Sequence, residues 1–394
     1  MLEVRTIEDA EIPAFREAAL GTFGADSEED PTGTDRQRAM ILPERSWVAC
    51  DAGQIVATAA SYALQIAVPG GGAIPTAGLT MVAVRPTHRR RGLLRAMIRA
   101  HLDDQRARGE VASGLWASEG AIYGRFGYGV AAEGFELELD TRHLELGEDD
   151  GAHACRFADE AEARARLPEI YARAVVERPG VIRRDEVWWR ERRFLEIGFM
   201  RGGASRRRHV IAWRGAEAVG YVAYRQRELG DAGRVEVIEL IACDAAAEHC
   251  LWRFLVGIDL YTKVVWSNAP VDLALPWRLV DRRRAVRQLV DTLWLRVDDV
   301  PATLAARRYA RDGGLRFAVE GETWELRVDG GRAACARSAA APELELDRAA
   351  LGSLLLGTVP ASRLARADRV RGSGIATADA LFAWSIAPWC PEQF

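Results

Sequence analysis

Leu79-Thr-Met-Val-Ala-Val-Arg-Pro-Thr-His-Arg-Arg-Arg-Gly-Leu-Leu94 is the stretch on which the reading of this chain turns. Apolar residues fill both faces of Leu79 to Val84, broken only by Thr80, which predicts a strand covered on both sides. Pro86 stops the strand because proline cannot donate to a sheet ladder. After Gly92, the residues Leu93, Leu94, Met97, Ile98 and Leu102 recur on one helical stripe. Arg89, Arg90, Arg91 and Gly92 therefore stand at a helix N-terminus. There the unpaired backbone N–H groups, running on through Leu93 and Leu94, and the helix dipole favour an anion. Gly92 lets a phosphate approach the backbone. No Gly-Lys-Ser/Thr follows and only one glycine is present, so the loop is neither a P-loop nor a dinucleotide fingerprint. A pyrophosphate site and a solvated basic turn both fit the loop taken alone.

Downstream, Gly114 to Ser118 reads as a second strand. Glu119 to Gly129 reads as a short helix ended by Gly127. Phe135, Leu137 and Leu139 alternate with Glu136, Glu138 and Asp140, the pattern of a half-exposed strand. The spacing Arg89-x-x-Gly92 resembles the Arg/Gln-x-x-Gly-x-Gly/Ala acyl-CoA signature of GNAT N-acetyltransferases, with Leu94 departing at the last position. Tyr123-Gly-Arg-Phe-Gly-Tyr128 resembles that family's Tyr-x-x-x-Gly-Phe/Tyr segment, whose first tyrosine often faces the CoA sulfur. Tyr123 is the functional candidate of the two tyrosines and Tyr128 the structural one.

The 394 residues exceed one ordinary core, so two or three domains are expected. A composition 49% hydrophobic and 28% charged is globular, and a net charge of −4 argues against a general nucleic-acid binder. No apolar run is long enough to span a bilayer, and Met1-Leu-Glu-Val-Arg5 is not a signal peptide. The six cysteines and the histidines His88, His101, His143, His153, His209 and His249 show no metal-ligand spacing, so no metal is expected. Reduced thiols and a cytoplasmic location follow from the cysteine pattern.

A degenerate repeat lies further on. Glu239 to Val256 aligns without a gap on Met81 to Ile98, but Ala247, Glu248, His249 and Cys250 replace Arg89, Arg90, Arg91 and Gly92. The second copy keeps the strand and helix pattern and loses the anion-binding residues. From about Asp291, strands at Leu293–Val297, Leu315–Val319, Thr323–Val328 and Leu344–Asp347 precede a helix from Arg348 to Leu356, an order similar to the sterol-carrier-protein-like fold. The expected fold class is α/β with mixed α+β sheets, as tandem GNAT-like domains over 1–140 and 141–290 and a sterol-carrier-like domain over 291–394.

Across its length the chain resembles the Eis (enhanced intracellular survival) family of GNAT acetyltransferases. The likeness is strongest over Pro75-Thr-Ala-Gly, the quoted strand and loop, and Ser118-Glu-Gly-Ala-Ile-Tyr-Gly-Arg-Phe-Gly-Tyr-Gly129. The resemblance implies an acetyl-CoA-dependent enzyme that acetylates several amines of aminoglycoside-like polycations and assembles as a hexamer. It also implies site residues. Val82, Ala83 and Val84 would hold the pantetheine arm, with Arg89, Arg90, Arg91, Gly92, Leu93 and Leu94 on the pyrophosphate. Ser118 would touch the cofactor, Tyr123 would be the general acid, and the carboxylate of Phe394 would reach into the active site as base. A polycationic acceptor needs an acidic pocket, for which Asp26, Glu28, Glu29, Asp30 and Asp35 could supply one wall and Glu392 another, a solvated acidic loop being the alternative. Phe23, Met81 and Trp384 would be the pocket's apolar lining, and the neutral Gln393 would precede the terminus. Acetylation of protein lysines and lipid or sterol binding by the C-terminal domain are the competing functions.

Overall fold

The computed structural model describes residues 2–26, 30–142, 144–147, 151–198, 201–229 and 232–394. The chain lays down β1 (Val4–Thr6), β2 (Ser46–Asp51), β3 (Gln54–Ala67), β4 (Ala73–Val84), β5 (Ala112–Trp116) and β6 (Gly129–Val130). It continues through β7 (Glu133–Asp140), β8 (His153–Ala158), β9 (Arg208–Arg214), β10 (Glu217–Leu229), β11 (Ala232–Ala242), β12 (Tyr261–Pro270) and β13 (Ala285–Asp291). β14 (Leu293–Val297) follows, and then β15 (Gly313–Val319), β16 (Glu322–Asp329), β17 (Arg332–Arg337), β18 (Leu344–Leu346) and β19 (Val370–Arg371).

Among the described residues the sheets run β1-β2-β3-β4-β5-β14-β6, β13-β7-β12-β11-β10-β9-β8 and β17-β16-β15-β18-β19. Read from its first strand, each of the two larger sheets has the same plan: four antiparallel strands, a parallel fifth, an inserted strand and a final antiparallel one. The inserted strand is exchanged in both. β7 follows β6 directly in sequence, yet it sits between β12 and β13. β14, which follows β13, sits between β5 and β6.

The sequence places Phe135–Asp140 with the first domain and Leu293–Val297 with the third, and the structure differs at both. Periodicity shows that a segment is a strand, whereas its partner is chosen by packing on distant residues. The compact units follow the exchange. One is built from residues up to Ala132, Arg178–Arg193 and Thr292–Phe394, the other from Glu133–Glu177 and Phe194–Asp291.

In the first unit the sheet is covered on both faces. Ile12 and Phe15 of α1 (Ile12–Thr22) share one apolar cluster with Ala60, Tyr62, Leu64 and Ile66 of β3. A short α2 (Gly33–Met40) adds to that side, with Met40 packed on the cluster. Leu93, Met97, Ile98 and Leu102 of α3 (Leu93–Ala107) share another cluster with Ala57, Ala59 and Leu79. The helix Arg348–Leu355 packs on β14 and β6 so tightly that glycine is required at the contact. A Cβ on Gly129 would stand 1.8 Å from the Ala349 carbonyl oxygen, and one on Gly352 would stand 2.1 Å from that of Leu295. The third sheet thus continues the core of the first, with Phe317, Leu326, Leu344 and Leu351 in the same cluster as Leu295.

Candidate functional site

The first sheet opens where the quoted strand begins. β4 pairs with β5 only from Thr76 to Gly78, opposite Ala112 to Gly114. Beyond that rung β5 continues alongside β14, and β4 stays on β3. A bulge interrupts the β3–β4 ladder between Thr58 and Ala60, and Met81 there takes a left-handed φ of 51°. The Thr58 hydroxyl donates to the Met81 carbonyl at 2.8 Å and holds the distortion in place. Bulges of this kind re-aim side chains and end pairing beside active sites. Arg85 N–H donates to the Val56 carbonyl, so strand alternation turns the N–H groups of Val84 and Val82 away from β3 and into the opening. Ala83 differs from its neighbours, being registered on Thr58 with its side chain buried.

The loop after β4 makes one short turn at Pro86–His88 and then takes positive φ at Arg90 (63°) and Gly92 (82°). Gly92 is the N-cap of α3, and no side chain caps that helix. Glycine is needed at this position for its backbone conformation, since a Cβ would meet no atom within 4 Å. Arg89, Arg90 and Arg91 are exposed around it, while the Leu93 side chain is buried and only the start of its helix faces outward. A diphosphate needs free amide donors, positive charge and room, and this loop offers all three. His88 has an acidic partner that its sequence neighbourhood does not reveal: Nε2 lies 3.0 Å from Asp51 Oδ2, which steadies the turn.

α4 (Gly120–Tyr123) follows β5 and buries Tyr123 against Tyr128, with ring centroids 6.1 Å apart and edge to face. Burial, with Glu119 adding to it, holds the Tyr123 phenol above its usual value. Among the described residues no group hydrogen-bonds its hydroxyl. Tyr128 is fully buried and bonded to Ser113 Oγ at 2.7 Å, which also contacts His101 Nε2 at 2.7 Å. Tyr128 is therefore a packing residue with a satisfied hydroxyl, and Tyr123 is the tyrosine whose hydroxyl is uncommitted. Ser118 is exposed at the end of β5.

The C-terminal tail lies on the opposite cluster. Phe394 is buried, and its ring packs edge to face on Tyr62 at 6.4 Å. Tyr62 is registered on Gly78, and Gly78 on Gly114, the last rung before the sheet opens. Met81 packs against the same cluster as Phe394, Tyr62 and Trp188.

The acidic residues behave differently from the sequence expectation. Glu392 is buried and ion-paired with Arg184 at 2.5 Å and with Arg193 at 3.6 Å, so it adds no net negative charge to a pocket. Asp30 is buried between Arg16 and Arg36. Asp35 is exposed beside Arg38. Asp26 and Phe23 are exposed, and Glu28 and Glu29 lie outside the described residues. Gln393 contributes its carbonyl oxygen to Arg192.

The counterpart of α3 in the second unit is the helix Ala245–Val256. Asp244 caps it, accepting from Ala246 N at 3.1 Å and Ala247 N at 2.8 Å. The donors that are free at Gly92 are occupied here by a carboxylate of the chain itself, and the gapless alignment fails in the fold: the helix starts six residues earlier, so Asp244 and not Cys250 stands at the Gly92 position, and Cys250 is buried inside the helix.

Residues 3–131 and 180–297 each match an acetyltransferase (GNAT) domain family, and residues 300–391 match a sterol carrier protein domain family. The N-acetyltransferase Eis of Mycobacterium bovis is 40% identical over 329 residues, covering 81% of this chain and 80% of its own. An uncharacterized N-acetyltransferase of Streptomyces avermitilis is 36% identical over 410 residues, covering 100% of this chain and 99% of its own. The crystal structure of Eis1 from Mycobacterium abscessus superposes with a TM-score of 0.85 at 29% identity over the full length of both chains. This chain belongs to the Eis family of N-acetyltransferases. It is an acetyl-CoA-dependent enzyme of two GNAT domains and a sterol-carrier-like domain. No helix among its described residues is long and apolar enough to cross a membrane.

In this Eis-family chain the sequence reading missed the groups that hold the tail. Tyr62 looks like one more residue of an apolar strand. Trp188-Trp189 reads as core or interface, and nothing local assigns a role to the arginines around it. In the fold, Arg192 stacks on both Tyr62 and Trp188 and donates to the Gln393 carbonyl, while Trp188 packs on Tyr62 at 5.4 Å. The only local signal was a cluster of tryptophan and arginine at 188–193.

Proposed function

We propose that this enzyme transfers the acetyl group of acetyl-CoA to primary amines of polycationic small molecules such as aminoglycosides, at more than one position. The packing of Phe394 on Tyr62, whose rung is the last before β4 and β5 part, supports this reading, in which the end of the chain would stand at the mouth of the acyl-donor opening. Arg89, Arg90, Arg91 and the amides from Gly92 to Leu94 would hold the diphosphate, and the Val82 and Val84 N–H groups the pantetheine and thioester. The substrate supplies an acetyl thioester, activated toward amines. A Val82 N–H directed at the carbonyl would stabilise its developing negative charge.

As the C–N bond forms and the C–S bond breaks, Tyr123 delivers a proton to the leaving sulfur. Its raised pKa keeps that proton in place until a thiolate, with an ordinary value of about 8.5, takes it. The Phe394 carboxylate receives the ammonium proton through a water, because a carboxylate with a reference value of about 3.5 is a weak base on its own. With Glu392 and Asp30 neutralised by arginines, Asp26 and the terminus are the described candidates for the charge that attracts the acceptor, and the exposed Asp26 and Phe23 would line its approach.

The test is CoA-thiol release with acetyl-CoA and a panel of aminoglycosides, paired with mass spectrometry of the products. Gains of two or more acetyl units are expected on at least one member. Tight acetyl-CoA binding without release on any member would overturn the small-molecule reading and point to protein lysines, to be assayed next with lysine-rich peptides.

A further inference from the structure

The segment Arg178–Arg193 comes from the middle of the chain, and both of its ends run into the second compact unit, yet it packs in the first. It does two things there. Through Gly180 N–H to the Ala67 carbonyl, Ala67 N–H to the Val181 carbonyl and Arg183 N–H to the Gln65 carbonyl, it lies along β3 where β2 has ended. It then grips the C-terminal tail at successive points. Arg178 donates to the Ala387 carbonyl at 3.0 Å, and Trp389 N–H donates to the Pro179 carbonyl at 2.9 Å. Arg184 and Arg193 hold the Glu392 carboxylate from two sides, and Arg192 holds the Gln393 carbonyl. The Arg184 and Glu392 side chains are 0% and 2% exposed, so this is a buried charge pair two residues from Phe394.

We propose that this segment is a tail clamp, with Arg184 and Arg193 as positioning residues that act through Glu392 to set the Phe394 carboxylate for proton transfer. The proposal rests on the reading of that carboxylate as proton acceptor. The physical argument is one of register. Phe394 packs its ring on Tyr62 within the apolar cluster, a contact that does not by itself set the direction of its carboxylate, and a displacement of about 1 Å at a reacting group costs on the order of 100-fold in rate. A buried ion pair contributes little net stability compared with apolar residues of similar volume, whereas it fixes one arrangement of the segments that carry it. The surrounding contacts, Trp389 on Gly180 and Phe394 on Tyr62, are apolar or backbone-mediated and would hold the tail approximately. The buried charges, with Arg184 on one Glu392 oxygen and Arg193 nearer the other, set where the last residue stops.

The full chain is assayed as wild type, Glu392→Gln, Arg193→Gln, Arg193→Lys, and with one alanine added after Phe394. Glu392→Gln is expected to lower kcat for the amine at least tenfold with the KM for acetyl-CoA unchanged. Arg193→Gln is expected to do so more mildly, and Arg193→Lys to stay within threefold of wild type. Carboxypeptidase is expected to remove Phe394 from Glu392→Gln faster than from wild type. A merely structural role would lower thermal stability without freeing the tail or separating kcat from KM. If Glu392→Gln does not fold, the two Arg193 variants carry the same comparison at a less buried partner. An alanine extension that abolishes turnover while Glu392→Gln and Arg193→Gln retain wild-type kcat overturns the clamp and leaves the carboxylate standing. An extended chain with full activity overturns the carboxylate reading and the clamp with it.

Discussion

Tyr123 must hold a proton to give one away. Burial raises its pKa, so the protonated fraction stays near unity through neutral pH and falls only above the ordinary tyrosine range. The wild-type kcat profile is therefore expected to lose activity on an alkaline limb above about pH 10 if the protein survives there. Tyr123→Phe is expected to lower kcat by about 100-fold or more, to remove that limb, and to leave acetyl-CoA affinity within a few-fold. Pre-steady-state and pH-rate measurements separate these effects. An unchanged kcat would exclude the phenol as acid.

His101 offers a second titration at this scale. Burial, with Arg45 and Arg296 nearby, pushes its pKa down to about 3 from 6.5. The unfolded chain binds the extra proton below about pH 6.5, so the stability this group contributes is complete above that pH and is lost as pH falls toward 3. Between about pH 7.5 and about pH 5, the unfolding free energy is expected to drop by about 2 kcal/mol from this residue, and urea titrations of His101→Gln should show a shallower dependence. The role proposed for Tyr123 rests on its place after the loop, a local cue. The Ser113 link that commits Tyr128 instead was hidden, because it joins a strand to a residue 15 positions away.

At the level of elements, the loop and helix at Gly92 were legible because sixteen consecutive residues carry strand, turn, charge and stripe together. The bulge at Met81 was not. It exists because β3 and β4 fall out of step at Thr58, and nothing in Leu79–Val84 records the register of its partner. Gly92→Ala forces a left-handed backbone on a residue with a Cβ and should destabilise by about 1 kcal/mol. It is also expected to raise the KM for acetyl-CoA several-fold while kcat at saturation changes little, since the nest and not the chemistry is disturbed. Equal kinetics to wild type would mean the diphosphate is held elsewhere. The second helix was readable as a copy without its loop residues, but its cap was not. Asp244 shows that the helix start is filled as well as altered. Titration calorimetry is expected to give one acetyl-CoA per chain, and two would contradict this assignment of roles to the two helices.

For the molecule as a whole, the order of domains was legible from strand and helix succession, and the exchange of β7 and β14 was not. Each strand has an ordinary alternating pattern that fits either sheet. What decides is the face it must cover, assembled from residues more than a hundred positions away. The tail was equally opaque: Arg178 reaches Ala387 across 209 positions and Arg192 reaches Gln393 across 201. A fragment of residues 1–140 carries the pyrophosphate loop and Tyr123 but lacks β14, so β5 and β6 have no strand between them and β7 has no partners. Expressed alone, it is expected to aggregate or to show poor chemical-shift dispersion, and a monomeric, well-dispersed fragment that binds acetyl-CoA would count against the importance of the exchange.

The exchanged strands also impose a calendar on biosynthesis. A ribosome that has released the loop, the helix and Tyr123 has not yet made the strand that closes their sheet. That strand begins at Leu293, after every residue of the second sheet. The nascent amino-terminal half must wait, with β5 and β6 unjoined, while some 160 further residues emerge, on the order of 10–30 seconds at ordinary elongation rates. During that interval its edges stay open, and synonymous codon changes that slow translation between β6 and β14 would lengthen the exposure without altering a single amino acid.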